Sequence, residues 1–208
     1  MVSTRFLPAV RKYIPHGVEC IKRGSPAVIP TDTLYGVCAD ATNPEAVEKI
    51  YRLKRRNPKK PFIVLVDSLE RIEEFFGVKP PPEAQKLFYH KKPISVVLPV
   101  EGERFRYLTR GGKGIAFRLV KGGFIGEFLK ELKRPLVAPS ANWEGFPPAE
   151  SPSQAFLYFG GGVPIYYNGG LIKEKNPSAL IDFTNHRLEV LRGGSLTEGE
   201  IEQLKKLL

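Results

Sequence analysis

The sequence predicts an α/β fold in which helices flank a mixed β-sheet. Short apolar runs typical of buried strands alternate with segments of helical periodicity along the chain. Two strand-like runs near the end, 178–183 and 187–191, are close enough to indicate a hairpin and therefore antiparallel pairing. With 208 residues, 42% hydrophobic and 26% charged, we expect one domain over residues 1–208 with its own core.

The individual elements follow from periodicity and from turn residues. Helices are predicted at 16–23, from Pro44 to the basic cluster that begins at Arg52, at 69–76, 82–90, 123–133 and 153–159, and from Thr197 onward. Strands are predicted at 27–29, 62–66, 94–98, 114–119, 135–138, 164–167, 178–183 and 187–191. Because the two types alternate without an internal repeat or a linker, we expect the helices to cover the sheet.

Two of the predicted helix starts carry capping residues. Asn43 is a predicted N-cap, with Pro44 at the first helical position and Glu45 in the first turn. Thr197 and Glu200 have the three-residue separation of a capping box. The apolar side chains expected on the buried face of the helix after Asn43 are Val47, Ile50, Tyr51 and Leu53.

Several catalytic classes are excluded by motifs that the sequence lacks. It has neither a Gly-x-x-x-x-Gly-Lys-Ser/Thr phosphate loop nor a Gly-x-Gly-x-x-Gly dinucleotide fingerprint. No Gly-x-Ser-x-Gly elbow accompanies the three scattered histidines, which argues against a hydrolase triad. Cys20 and Cys38 lack metal-ligand spacing and are interpreted as small hydrophobic side chains in a reducing compartment. Any phosphate site is therefore expected to consist mainly of side chains.

Charge and hydropathy predict a cytoplasmic protein with an anionic partner. Lys and Arg number 32 against 22 Asp and Glu, a formal net charge of +10 that attracts nucleotides or nucleic acids. The N-terminal residues lack the pattern of a secretory signal or a transit peptide. No apolar run reaches the roughly 18 residues of a membrane span, so we expect no membrane partner.

Three polar segments next to predicted buried strands are candidates for a binding site. The basic cluster at 52–60 has six cations in nine residues, and such side chains suit a polyphosphate chain. The segment 30–36 carries two threonine hydroxyls and a carboxylate, and the segment 138–142 carries Ser140 and Asn142. A helix cap, a turn or a solvated charge run would explain each segment alone. Together they can form one pocket if they face the same crevice of the sheet.

The ordered set of motifs resembles the YrdC/TsaC family, the threonylcarbamoyl-AMP synthases. Its hallmarks are Pro-Thr-Asp/Glu-Thr-x-Tyr-Gly, Lys-x-Arg and Ser-x-Asn, which stand here at 30–36, 54–56 and 140–142. The likeness extends over about residues 15–195 and includes the runs at 116–119, 176–182 and 190–193. The resemblance implies a single YrdC-like domain without an additional C-terminal domain, built on a twisted sheet with a positively charged concave face.

The resemblance also implies an activity and its partners. A nucleotidyltransferase of this kind binds ATP, L-threonine and bicarbonate, and forms L-threonylcarbamoyl-adenylate with release of pyrophosphate. The product would serve the threonylcarbamoyladenosine modification of tRNA, with partner proteins completing the transfer. A magnesium ion that bridges the phosphates is expected for such chemistry, although no carboxylate cluster in the sequence indicates its ligands.

Nine site residues follow from their places in the family motifs. Lys54 and Arg56 are the implied catalytic residues, which act on the phosphates. The implied ATP-binding residues are Lys54, Arg56, Ser140, Asn142 and Arg192, and the implied threonine-binding residues are Thr31, Thr33, Arg118 and Ser178.

The chain departs from the family pattern in several places. Asn57 follows Lys-x-Arg where the family commonly has proline, and the pair 60–61 is Lys-Pro where the family has Asn-Pro. The run 90–95, His-Lys-Lys-Pro-Ile-Ser, replaces Trp-Pro-Gly-Pro-x-Thr. Residues 177–179 are Pro-Ser-Ala in place of Glu-Ser-Thr, and 192–194 are Arg-Gly-Gly in place of Arg-Pro-Gly. These changes concern the threonine and carbamate end more than the phosphate end.

Two alternatives to the synthase stay open. A basic concave face could bind double-stranded RNA or tRNA through backbone phosphates without catalysis. The sequence has no aromatic stripe of the RNA-recognition type, and Thr31, Ser140 and Asn142 would be unnecessary for backbone binding alone. A YciO-like paralogue would keep the fold but depart at Lys-x-Arg and Ser-x-Asn. Because both motifs are present here, the synthase is favoured.

Overall fold

The strands form one mixed sheet in the computed structural model, which describes residues 3–173, 176–185 and 187–206. In chain order they are β1 (Arg5–Pro8), β2 (Ala27–Pro30), β3 (Tyr35–Asp40), β4 (Ile63–Val66), β5 (Ile94–Pro99), β6 (Gly114–Leu119), β7 (Leu136–Val137), β8 (Ile165–Asn168), β9 (Ala179–Asp182) and β10 (Glu189–Arg192). Their order across the sheet is β1-β8-β2-β3-β7-β4-β6-β5-β9-β10. Parallel pairs such as β4 with β6 occur beside antiparallel pairs such as β5 with β6, which confirms the predicted mixed α/β sheet.

Helices and short 3₁₀ turns connect these strands. The helices are α1 (Ile14–Lys22), α2 (Pro44–Lys54), α3 (Glu70–Phe76), α4 (Pro82–Phe88), α5 (Arg106–Thr109), α6 (Gly123–Leu132), α7 (Pro152–Phe159) and α8 (Glu198–Lys206). The 3₁₀ turns are Arg11–Tyr13, Glu103–Phe105 and Gly160–Gly162. Within the described part of the chain, no helix is both long enough and apolar enough to cross a membrane.

Both faces of the sheet are covered, which explains why β2, β3 and β7 are buried at every position. Val64 of β4 belongs to the larger hydrophobic cluster, whereas the next residue, Leu65, belongs to the smaller one. Successive strand residues point to opposite faces, so the two clusters lie on opposite sides of the sheet. Apolar residues of α2, α3 and α4 complete the larger cluster, and those of α1 and α6 complete the smaller one.

The predicted helix caps are confirmed. The Asn43 side chain accepts a hydrogen bond from the Ala46 N–H at 3.1 Å, which satisfies one of the free donors at the start of α2. Thr197 N–H donates to Glu200 Oε2 at 2.8 Å, and Glu200 N–H donates back to Thr197 Oγ1 at 3.3 Å. This reciprocal pair is the capping box expected before α8.

The buried face of α2 differs from the prediction at its C-terminal end. Val47, Ile50 and Tyr51 are buried as predicted, but Leu53 is only partly buried. Lys54 takes the inner position instead and is 1% exposed. Position 54 lies seven residues after Val47, which places it on the same face of the helix. The helix therefore carries a lysine where the apolar pattern calls for a hydrophobic side chain.

Two strands and one short helix were not predicted from the sequence. β1 is an edge strand in which only Leu7 is buried, so it lacks an apolar run. β3 has the sequence Tyr-Gly-Val-Cys-Ala-Asp and is buried at all six positions, so it shows no alternation of apolar and polar residues. The four-residue helix α5 is too short to show periodicity. The other predicted elements agree with the structure to within two residues at each end.

The central position of β7 determines where the polar segments meet. This two-residue strand pairs antiparallel with β3 on one side and with β4 on the other. The chain after β7 continues beside β3, where Ala141 N–H donates to Tyr35 O at 2.7 Å and Ser140 forms a bridge with Gly36. Because β2 leads directly into segment 30–36, that segment and segment 138–142 are held side by side in the middle of the sheet.

Candidate functional site

A cavity of about 150 Å³ lies where the three predicted polar segments meet. The predicted site residues that line it are Thr31, Thr33, Arg56, Arg118, Ser140, Ser178 and Arg192. Lys54 and Asn142 are not among its lining residues. The structure thus brings most of the predicted side chains to one place, with two members of the set outside the cavity wall.

The threonine segment is a compact turn organised by the Thr31 hydroxyl. Thr31 Oγ1 accepts the N–H groups of Thr33 and Leu34, each at 3.2 Å, and donates to Leu34 O at 2.6 Å. The hydroxyl of Thr33 lies 3.2 Å from that of Thr31. A Ser or Thr hydroxyl commonly closes a turn in this way. The two hydroxyls are therefore fixed side by side at the cavity wall by the local backbone.

Lys54 lies beneath the loop that carries Ser140 and Asn142. Its ammonium donates to Ser140 O, to Asn142 O at 2.8 Å and to Asn142 Oδ1 at 3.4 Å. A lysine has three N–H donors, and these three contacts use all of them. Burial, with the nearby Arg56 charge, lowers the pKa of Lys54 to about 7. In this arrangement Lys54 supports the loop rather than facing the cavity.

The Ser140 and Asn142 side chains are also ordered by contacts within their own loop. Ser140 Oγ donates to Asn142 Oδ1 at 2.6 Å. The Asn142 amide nitrogen donates to Trp143 O and to Phe146 O, both at 2.7 Å. Asn142 is therefore a buried residue whose hydrogen bonds hold the loop together. Ser140 is the member of the pair that lines the cavity.

Three arginines give the cavity its charge. Arg118 on β6 is 5% exposed and donates from Nη2 to Asp32 Oδ1 at 2.7 Å, while its Nε is buried without a hydrogen-bond partner. Arg192, at the end of β10, donates from Nε to Ser178 O at 3.2 Å. Arg56, just after α2, lies with its guanidinium carbon 5.0 Å from the centre of the Phe62 ring.

Burial of these arginines makes the cavity favourable for an anion. Burial lowers the pKa of Arg56 and of Arg118. Nearby acidic groups raise the pKa of each, but by less than burial lowers it. Burial also lowers the pKa of Arg192, and the charges of Arg118 and Arg56 add to this effect. The charge of Arg192 is therefore repelled by those of Arg118 and Arg56, and the Asp32 carboxylate pairs with Arg118. A bound polyanion would relieve this repulsion, and arginine forks match phosphate oxygens.

A larger cavity of about 610 Å³ adjoins the first and shares Thr31 with it. Its wall includes Asp32, the run 90–92 and Lys121. The Asp32 carboxylate lines this larger cavity, and its partner Arg118 lines the smaller one. The Asp32–Arg118 ion pair therefore lies in the wall between the two spaces. The run 90–92 belongs to the segment in which the sequence departs from the YrdC/TsaC motif.

The described residues offer no protein site for the expected magnesium ion. No group of three or more His, Cys, Asp or Glu side chains is arranged among them to hold a metal. Asp32, the carboxylate beside the cavity, is engaged with Arg118. The residues present do not fit a protein-bound magnesium ion.

Sequence reasoning did not assign roles to Asp32 and Tyr35. Asp32 stands within the recognised 30–36 segment, but its pairing with a residue 86 positions away has no local signal. Tyr35 is fully buried, and its hydroxyl donates to Gly170 O at 2.6 Å and accepts the Gly169 N–H at 2.9 Å. The available signal was its place in the same motif. Because a buried tyrosine hydroxyl needs a hydrogen-bond partner, that place could have indicated a structural role for Tyr35.

Comparison with known proteins identifies the family. The Sua5/YciO/YrdC family model, described as "Telomere recombination", matches residues 19–194. The chain belongs to this family. The Sua5/YciO/YrdC match covers the strands, helices and loops that build the cavity, from the second half of α1 to beyond the end of β10.

Two curated members of the family are named threonylcarbamoyl-AMP synthase. The protein from Pyrococcus abyssi is 31% identical over 186 residues, which cover 88% of this chain and 54% of that protein. The protein from Klebsiella pneumoniae is 26% identical over 172 residues, which cover 81% of this chain and 90% of that protein. The chain thus spans about half the length of the Pyrococcus relative and most of the Klebsiella relative.

A solved structure of the same family has a matching fold. The crystal structure of P. abyssi Sua5 complexed with L-threonine superposes with a TM-score of 0.85 at 28% sequence identity. The match covers 98% of this chain and 60% of that one. The likeness confirms the predicted YrdC-like α/β fold, and the bound threonine is a property of that protein.

Proposed function

We propose that this chain forms L-threonylcarbamoyl-adenylate and pyrophosphate from ATP, L-threonine and bicarbonate. The observation that carries the proposal is the single cavity lined by three arginines and by the hydroxyls of the 30–36 and 138–142 segments. The two named relatives support the same reaction class. The product would serve threonylcarbamoyladenosine formation in tRNA, together with partner proteins, and we propose the cytoplasm as the location.

The proposed chemistry requires positioning and charge neutralisation rather than a protein nucleophile. The threonine amine adds to the carbon of bicarbonate with loss of water, which gives a carbamate. A carbamate oxygen then attacks the α-phosphorus of ATP, the bond from that phosphorus to the bridging oxygen breaks, and pyrophosphate leaves. The negative charge that builds on the phosphate oxygens is the largest electrostatic demand of this reaction.

Each group of side chains has a proposed task. Arg56 and Arg192 neutralise the triphosphate, because both residues line the cavity and carry a positive charge. Ser140 contacts the nucleotide, with Asn142 and Lys54 behind it as supports. The groups proposed for threonine and its carbamate are Thr31, Thr33, Arg118 and Ser178. Magnesium, which neutralises phosphate charge, would enter with ATP as part of the substrate, and none of these tasks depends on it.

The proposal is tested by mixing the purified protein with ATP, L-threonine and bicarbonate and measuring pyrophosphate. We expect release that depends on threonine and falls about tenfold or more in Arg56→Met, because a charge-assisted contact to phosphate is lost. Arg104→Met is a matched control, since Arg104 also stacks on a phenylalanine, Phe105 at 4.3 Å, and does not line the cavity. The control should keep the activity of the unmodified protein.

Two outcomes would reject the synthase. One is the absence of threonine-dependent pyrophosphate, and the other is equal activity of Arg56→Met and Arg104→Met. Salt-sensitive binding of double-stranded RNA without turnover would instead support the binding module.

A further inference from the structure

Glu144 joins two loops, one of which carries Arg56. We define the basic loop as residues 55–61 and the Ser140 loop as residues 138–146. The Glu144 carboxylate accepts the Asn57 N–H through Oε2 at 2.6 Å and the Lys60 ammonium through Oε1 at 2.6 Å. Its own N–H donates to Lys54 O at 2.9 Å. Glu144 of the Ser140 loop is therefore bonded to the last residue of α2 and to two residues of the basic loop.

A second contact joins the same loops. Arg55 ends α2 in the left-handed region at φ 51°, a conformation unfavourable for a residue with a side chain. Its guanidinium stacks on the Trp143 ring at 3.8 Å. The basic loop thus leaves the helix in a strained conformation that contacts from the Ser140 loop help to maintain.

The loop that Glu144 holds is also the loop that orients Arg56. Arg56 donates from Nε to Lys60 O at 3.2 Å and from Nη2 to Pro61 O at 3.3 Å. The direction of its guanidinium therefore depends on where the carbonyl groups of residues 60 and 61 lie. Glu144 fixes the same stretch through Asn57 and Lys60 but does not line the cavity.

Fixing the stretch that orients Arg56 would favour phosphate binding. The negative charge of Glu144, taken alone, would weaken it. The hydrogen bond from Lys60 and that from the Asn57 N–H lower the pKa of Glu144, so the group is a carboxylate near neutral pH. A carboxylate near an anion site weakens anion binding by Coulomb repulsion. The two mechanisms are therefore distinguished by the sign of the change in affinity.

We propose that Glu144 is a positioning residue that orients Arg56 toward the phosphates of a bound nucleotide by fixing the basic loop. The inference rests on the proposed function in that it takes ATP as the ligand. Glu144 makes no contact with ATP in this proposal and acts through the carbonyl groups that hold Arg56.

The test is a double-mutant cycle of ATP affinity, measured by titration calorimetry on the whole chain. Glu144→Ala should weaken ATP binding by about five- to tenfold, the size of a typical coupling between residues of one network. Arg56→Met should weaken it as well, and adding Glu144→Ala to Arg56→Met should have no further effect. Glu144→Gln keeps an oxygen for the Asn57 N–H and should lose only about twofold, the effect of a half-exposed ion pair.

A control variant separates this mechanism from a general effect of losing a negative charge, and the Glu144→Ala protein should unfold cooperatively on heating, which would show that it is folded. Glu103→Ala removes an exposed acid that pairs with Arg106 outside the cavity, and it should leave ATP affinity unchanged. Tighter or unchanged ATP binding by Glu144→Ala would overturn this inference but not the proposed function. The same would follow if Glu144→Ala weakened ATP binding as much in the Arg56→Met protein as in the unmodified protein. Absence of ATP binding by the unmodified protein would overturn the proposed function and this inference with it.

Discussion

Replacing Lys54 by methionine should flatten the dependence of folding stability on pH above neutrality. Lys54 is 1% exposed, and burial with the Arg56 charge lowers its pKa to about 7 from 10.5. Between these two pH values the unfolded chain binds more protons at this lysine than the folded chain, so stability rises with pH. Integrating the two titrations from pH 7 to 9.5 gives a gain of about 3 kcal/mol. Below pH 7 the full cost of burying the charge is present.

Urea unfolding of three proteins at several pH values between 6 and 9.5 measures this effect. Methionine is similar to lysine in length but has no titrating group, so the stability of the unmodified protein relative to Lys54→Met should increase with pH and be greatest at high pH. Lys113→Met is the control, because Lys113 is exposed and its variant should follow the unmodified protein. Parallel stability profiles for the unmodified protein and Lys54→Met would show that Lys54 titrates at an ordinary value, which would refute the reasoning.

Two further stability predictions follow from single contacts. Tyr35→Phe removes a buried hydroxyl that bonds two backbone groups and should lower the free energy of unfolding in urea by about 1 to 3 kcal/mol, whereas an unchanged value would contradict the bonding described. Gly194→Ala should cost about 2 kcal/mol or more, because its φ is +58° and a β-carbon there would lie 2.5 Å from Ala179 N. Gly102→Ala shares a positive φ, +93°, but has open space around it, so thermal unfolding should show a clearly smaller loss.

The sequence was sufficient for the elements whose signals are local. The Asn43 cap and the Thr197 capping box depend on side chains within three residues of one another, and both are formed as predicted. Strand β3 was missed because burial on both faces removes the alternation of a half-buried strand, and because Gly36 and Asp40 interrupt the kind of apolar run that identified the strand at 62–66. Edge strand β1 was missed because an edge needs few buried residues.

The residues of the candidate site could be predicted from the sequence, but their arrangement in space could not. The motifs supplied the residues of the cavity, whereas the place of Lys54 behind the Ser140 loop depends on contacts between residues 86 and 88 positions apart. A local signal for its burial did exist, since a lysine at the seventh place after Val47 lies on the inner face of α2. The Asp32–Arg118 pair and the contacts of Glu144 had no comparable signal in the sequence, because the fold alone brings them together.

The short strand β7 has a mechanical consequence for the whole sheet. Among the described residues, four strands lie on one side of β7 and five on the other, and only two residue pairs connect it to each side. Thr31 follows a strand of the four-stranded part, whereas Arg118 and Arg192 belong to the five-stranded part. A molecule that contacts all three cross-links the two parts of the sheet across β7. Occupancy should therefore slow amide hydrogen exchange at Leu136 and Val137, far more than at the sheet edges.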